Sequence, residues 1–356
     1  MKFFNIDLHI SVIEDVKNIL NTLFPKIEIV DWSISGHSWV MKKQQCDIKF
    51  INQKEWKIID KYYIKNFQDY YDNYLSQFDG FIVTHTPVFA LLYEKYDKPI
   101  IMVNSCRYEQ PYCWVYNKDM LIYLEKKLYE MYNKKQLICI SNNLADQKYL
   151  KLGTGIESHH IPSLCLYTNA EYKNNNNFYI IKGPRLINNV KNAHYLEDIL
   201  RCYKWEELYR FKGIIHIPYE ISTMSIFEQY SANIPLIFPT KRLLKKLLQT
   251  RLIPFNGPYI KNNTQVYKDV IGKMNDSINE NWIDYWVDNA DFYDENNMKY
   301  IVYYDSFREL PEILEKLDTE NISKKMKEWN EIRKKHIYNK WNDIMIEYFP
   351  LLNTNK

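Results

Sequence analysis

The sequence predicts an α/β protein of two domains, each a doubly wound and mostly parallel sheet, on three observations. The chain has 356 residues, more than one ordinary small core accommodates. Short apolar runs alternate with stretches of helical period, the pattern of βαβ units. That alternation breaks once, at the polar segment 168–177 with asparagines at 174–177, and then restarts.

Residues 3–8 read as the first strand and 12–23 as the first helix, where Val12, Ile13, Val16, Ile19, Leu20 and Leu23 line one face. Further strands are expected at 27–30, 80–83, 99–103 and 136–140, with helical patterns at 89–95 and 120–132. The second half continues with strand 178–181, helix 193–202, strand 213–217, helix 223–232, strands 235–238 and 300–304, and helix 310–317. An amphipathic helix rich in Lys and Trp, 322–348, closes the pattern. This places one domain at 1–170, a second at 178–320 and the closing helix at 321–350. Two such halves facing each other would bring their strand ends, and so their ligands, to a shared cleft.

Composition narrows the function classes. A formal net charge of +3 without a concentrated basic face leaves no nucleic-acid footprint. Cys46, Cys106, Cys113, Cys139, Cys165 and Cys202 form no C-x-x-C pair and read as thiols of a reducing compartment, so zinc is not expected. The first residues carry Asp7 and His9 inside their apolar run and show no cleavage pattern, so no secretory leader is expected. No run approaches the ~18 apolar residues that cross a bilayer. The expected location is cytoplasmic, which leaves the sequons at Asn262, Asn275 and Asn321 without a modifying route. The oligomeric state stays open.

Residues 213–239, GIIHIPYEISTMSIFEQYSANIPLIFP, carry the functional expectation. A buried strand runs into a polar turn, a helix opens near 222–225, and Asn233 closes it before a second apolar strand. Asn tolerates the left-handed conformation that often follows a helix. The free N–H groups of a helix start at a strand end suit a diphosphate. Glu220 and Glu228 lie in this unit with seven residues between them. Ser225-x-x-Glu228 also fits a capping box, in which Glu228 serves only a backbone donor.

This segment resembles the E-x7-E signature of retaining glycosyltransferases of the GT-B fold, the family that includes sucrose synthases and many bacterial glycan-building enzymes. A Pro two positions before Glu220, small polar residues opening the helix and a small-x-x-Pro turn into the next strand accompany the pair; Asn233 stands where the family usually has Gly. The resemblance implies two facing Rossmann-like domains with a C-terminal crossover helix. It implies transfer of a sugar from a nucleoside-diphosphate sugar to a glycan or other hydroxyl acceptor, with retention of configuration. No metal and no cofactor beyond the donor are implied. Glu220 would approach the donor sugar and Glu228 the ribose hydroxyls, with Ser222, Thr223 and Ser225 at the helix start. A basic pair after the first strand of the second domain is a further family feature. Gly183-Pro184-Arg185-Leu186 followed by Lys191 fits it with one extra residue, and Lys182 is a rival for Lys191. Preorganised cations there would stabilise charge gathering on a leaving diphosphate.

In the first domain His85 directly follows a strand and precedes Pro87, which places it at the carboxyl edge of the sheet as a catalytic group. His9, His37, Asn104 and Arg107 near other strand ends are expected to contact the acceptor or the sugar. His159-His160 have no further ligand at metal spacing. In the closing helix Trp329, Ile332, Ile337, Trp341 and Ile344 are expected to be buried, and cations such as Arg333 solvated. A sugar-nucleotide epimerase or hydrolase, and a non-catalytic glycan-binding protein, are the alternatives on the same architecture.

Overall fold

The computed structural model describes residues 1–115, 117–188, 190–253 and 282–355, so Asn262 and Asn275 lie outside the described residues. The described chain forms two α/β units: residues of Met1–Ser163 and Tyr338–Lys356 make the first, those of Leu164–Gly257 and Glu280–Ile337 the second.

The first unit has a six-stranded sheet in the order β2-β1-β3-β4-β5-β6, and the paired strands run parallel. Its strands are β1 Lys2–Asp7, β2 Glu28–Ser33, β3 Gly80–His85, β4 Ile100–Asn104, β5 Leu137–Ser141 and β6 His159–His160. The inner strands β1, β3, β4 and β5 are buried along almost their whole length, which explains their unbroken apolar runs. Helices Ile10–Leu23, Lys118–Asn133 and Leu144–Thr154 pack in the connections. The last two start where Asn117 and Asn143 accept hydrogen bonds from the N–H groups of Met120 and Asp146. The strand order reverses between β1 and β3, so the ends of these two strands open the crevice of this sheet.

The second unit has a five-stranded parallel sheet, β11-β10-β9-β7-β8. Here β7 is Tyr179–Lys182, β8 Ala193–Tyr195, β9 Ile214–His216, β10 Leu236–Pro239 and β11 Val302–Tyr304. Its order reverses between β7 and β9. Helix Met224–Ser231 joins β9 to β10, and Asn233 just beyond it has φ of 64°, the left-handed closure expected there. Residues of the polar segment 168–177 run along this unit: the N–H groups of Tyr172, Lys173 and Asn175 bond the carbonyls of Ala232, Tyr209 and Arg210.

Three expectations need correction. The segment 89–95 is two 3-10 turns, Pro87–Leu92 and Glu94–Tyr96. Every residue of Pro87–Leu92 is buried, so this stretch has no polar face on which an amphipathic helix could rest. The segment 193–202 opens as β8, paired with β7 through Tyr179 and Ala193, and only Leu196–Ile199 is helical. In the closing helix Thr319–Tyr348, Ile337, Trp341 and Ile344 are buried, but Ile332 is 60% exposed and Arg333 only 4%. The neighbours exchange roles because Arg333 finds a buried partner: its Nε donates to Asn297 Oδ1 at 2.8 Å, and its guanidinium lies over the Tyr230 ring. No described helix is long and apolar enough to cross a membrane.

Trp341→Ala is expected to lower the free energy of unfolding by about 3–5 kcal/mol, and Ile332→Ser to change it by less than about 0.5 kcal/mol. Urea denaturation of the two variants measures the contrast.

Candidate functional site

The second sheet brings Lys182 and His216 together at its point of reversal, because the last residue of β7 is in register with the last of β9. Gly183 follows with φ of 136°, and a Cβ at this position would lie 2.5 Å from the Ile217 carbonyl oxygen, so glycine alone lets the two loops meet. Burial draws the Lys182 ammonium down to about 8 against the opposing pull of the Glu228 carboxylate. His216 is buried and neutral: burial and the charge of Lys182 hold it well below the ordinary histidine value. A cavity of about 250 Å³ opens beside Lys182 and Gly183, lined further by Tyr195, Glu197, Leu200 and Tyr203.

The turn after β9 carries Glu220, half-buried, whose carboxylate accepts a hydrogen bond from its neighbour Ile221 N–H at 2.7 Å. The capping-box reading of Glu228 is overturned. The helix begins with Thr223 as its cap, and Ser225 bonds only the Thr223 hydroxyl, at 3.4 Å. Glu228 therefore lies a turn inside the helix. There Tyr167 donates its hydroxyl hydrogen to Oε1, and Trp205 donates from Nε1 to Oε2 at 3.1 Å. Ser222, Thr223 and Ser225 are half-buried around the helix start.

Arg185 departs from the expected pairing. It is exposed and grips Asp198 through two hydrogen bonds, 3.1 and 2.5 Å, and Glu197 at 3.2 Å, both on the short helix Leu196–Ile199. Lys191 is exposed on the same loop. The cation at the end of the strand is Lys182.

In the first unit, His85 ends β3 with φ of 70°, a conformation that non-glycine residues rarely hold without a compensating reason. Its ring lies 5.3 Å from that of His9, which precedes helix Ile10–Leu23. Burial, reinforced by His9 and Arg107, pushes His85 down to about 3. His9 is also lowered, by the protein packed round it and by His37, so both rings are neutral at pH 7. His37 itself is exposed on the loop after β2. Asn104 is in register with His85, buried, with neither amide atom bonded to a protein group. Arg107 is buried, with its guanidinium 3.9 Å from the Asp146 carboxylate.

Sequence reasoning missed two features. His216 lies inside an apolar strand and carries no pattern of its own. The second is a charge cluster behind His9: Lys43 pairs with both Glu14 and Asp31, Asn5 donates to Asp31 at 2.9 Å, and burial beside Asp31 pushes Asp7 up to about 8. Among the described residues no three His, Cys, Asp or Glu side chains are placed to hold a metal ion.

No family model matches the chain, and no curated protein matches it. Among solved structures, it is similar to spinosyn forosaminyltransferase SpnP, with 10% identity, 82% of this chain and 96% of the other covered, and a TM-score of 0.40. It is similar to the glycotransferase of kitacinnamycin, with 7% identity, 98% of both chains and a TM-score of 0.45. It is also similar to the glycosyltransferase SnogD from Streptomyces nogalater, with 8% identity, 81% of this chain and 95% of the other, and a TM-score of 0.38.

Two outcomes follow from these geometries. Glu228→Ala removes the charged acceptor of two part-buried hydrogen bonds and is expected to lower unfolding free energy by about 1.5–3 kcal/mol in chemical denaturation, with Glu228→Gln milder. The unfolded imidazole of His85 takes a proton near 6.5 but the folded one only near 3, so acid favours the unfolded chain between these values. His85→Asn, a residue that tolerates the left-handed backbone, should therefore gain stability relative to the wild type as pH falls from 7 to 4.5.

Proposed function

We propose that the chain is a glycosyltransferase that moves a sugar from a nucleoside-diphosphate sugar to a hydroxyl acceptor. The observation that supports this most is the second sheet's point of reversal. There Lys182 ends β7 beside the end of β9, and the turn with Glu220 leads from β9 into helix Met224–Ser231, a cation and the positive end of a helix on neighbouring strand ends. As the glycosidic bond breaks, negative charge gathers on the leaving diphosphate, and the ammonium of Lys182 stabilises it. This assigns to Lys182 the role that the resemblance gave to Arg185 and Lys191. Ser222, Thr223 and Ser225 would offer hydroxyls to the same phosphates, and Glu220 would meet the donor sugar. The proposed reaction needs no divalent metal, since Lys182 and the helix start supply the positive charge. Activity abolished by EDTA and restored by Mg²⁺ would count against this arrangement.

The E-x7-E spacing supports retention, in which the departing phosphate takes the acceptor's proton on the face it leaves. The His9–His85 pair favours a second course. If His9, the more exposed of the two rings, accepts that proton, the acceptor oxygen attacks the opposite face and configuration inverts; His85, drawn down to about 3, is too weak a base for this step. Proton NMR of the anomeric coupling in the first product formed separates the two.

Calorimetry with nucleoside diphosphates tests the donor site. Lys182 carries its charge below about 8, so affinity should hold at pH 6–7 and fall as pH rises through that value. Lys182→Met should weaken binding at pH 7 and flatten the pH dependence. A wild-type chain that binds no nucleoside diphosphate overturns the reading.

A further inference from the structure

We propose that the turn after β2 is an acceptor subsite in which Trp39 stacks on the apolar face of a pyranose, so that the acceptor is itself a saccharide; this rests on the transfer reading above. Trp39 is 68% exposed, whereas Trp56, Trp286 and Trp341 are buried and Trp32, Trp114, Trp205 and Trp329 are partly covered. Leaving an indole in water forgoes the stabilisation that its burial would bring.

The exposure is not the consequence of a loose loop. Turn Ser38–Met41 is closed by Lys42 in the left-handed conformation, and Lys43 N–H bonds the Ser38 carbonyl at 3.1 Å. The Lys43 ammonium is paired with Glu14 of the first helix and Asp31 of β2. Gln45 Nε2 donates to the Ile34 carbonyl at 3.1 Å, and Cys46 N–H to that of Ser33 at 2.7 Å. A platform held this firmly loses little freedom when a ligand settles on it.

Its position connects it to the site. The loop leaves the carboxyl end of β2, and His37, two residues before Trp39, lies near enough to His9 to depress its basicity. The turn that carries the indole thus begins at a residue, His37, whose charge is felt at the His9–His85 pair.

The chemistry points to a sugar. One face of a pyranose presents C–H groups of slight positive charge, which match the negative face of an aromatic ring. Its rim carries hydroxyls, and His37, Lys42 and Gln44 stand exposed around the turn to meet them. An aromatic aglycone would instead call for an enclosed apolar slot.

Saturation-transfer NMR with methyl glucoside, galactoside and mannoside and their disaccharides tests this on the wild type, Trp39→Phe and Trp39→Ala. Transfer to the ring C–H protons is expected in the wild type, retained in Trp39→Phe and lost in Trp39→Ala. The acceptor KM of Trp39→Ala should rise about tenfold, with melting temperature and nucleoside-diphosphate affinity unchanged. A wild type that binds nucleoside diphosphates but none of these saccharides overturns the proposal, as does undiminished saccharide contact in Trp39→Ala. Saccharide contact that depends on Trp39 in a chain that binds no nucleoside diphosphate would uphold the subsite and overturn the transfer reading instead.

Discussion

The second unit carries one half-buried charge, Lys182, at its sheet reversal. An ammonium taken out of water carries a penalty of several kcal/mol unless a counter-charge and hydrogen bonds offset it. For Lys182 the counter-charge is Glu228, and the carboxylate is fixed in turn by Tyr167 and Trp205. These residues come from four different stretches of chain: the entry segment, the end of β7, the connection after β8 and the helix after β9. Hydrogen bonds to Glu228 tie three of these stretches together, and the field of its carboxylate reaches the fourth. Burial lowers Lys182 to about 8 in spite of this carboxylate, and in the proposed donor site an incoming diphosphate would supply further counter-charge.

The first unit has the same sheet reversal but the opposite electrostatic character. At its edge His9 and His85 are both drawn below the ordinary histidine value by the protein around them, with the amide of Asn104 alongside. Neutral nitrogen and amide groups exchange hydrogen bonds and protons with hydroxyls, whereas an ammonium and a helix start hold phosphate. The division of labour proposed for the two units thus follows from the charge state that each fold imposes at its strand ends.

How much of this was legible in the sequence depended on the range of the interactions involved. Strands β1, β3, β4, β9 and β10 announced themselves because burial on both faces leaves an apolar run in the sequence itself. Strand β6 is two histidines at a sheet edge, and β8 begins a stretch whose period looks helical; partner strands decide both. The strand–turn–helix setting of Glu220 and Glu228 was readable because it is local. The partners of Glu228 are not, since Tyr167 lies 61 residues away and Trp205 lies 23 away. Arg185 has the better motif spacing, but the carboxylates of Glu197 and Asp198 claim it on the surface. A positively charged residue at a strand end becomes informative only once its burial is known.

Lys43 and Lys182 do related work in separate units. Lys43 is anchored by the carboxylates of Asp31 and Glu14, whereas Lys182 feels the field of Glu228 without pairing with it. In the first unit the pairing is complete, and it raises Lys43 above the ordinary lysine range, so this lysine serves as a fixed strut for the turn that presents Trp39. In the second unit burial outweighs the single carboxylate, and the lysine keeps a deficit that a ligand can fill. The same two residue types thus give a structural tie where acids outnumber the cation and, in the proposed donor site, a cation left for a phosphate where they do not. The balance of desolvation against paired charge, more than the presence of a lysine, separates scaffold from site in this chain.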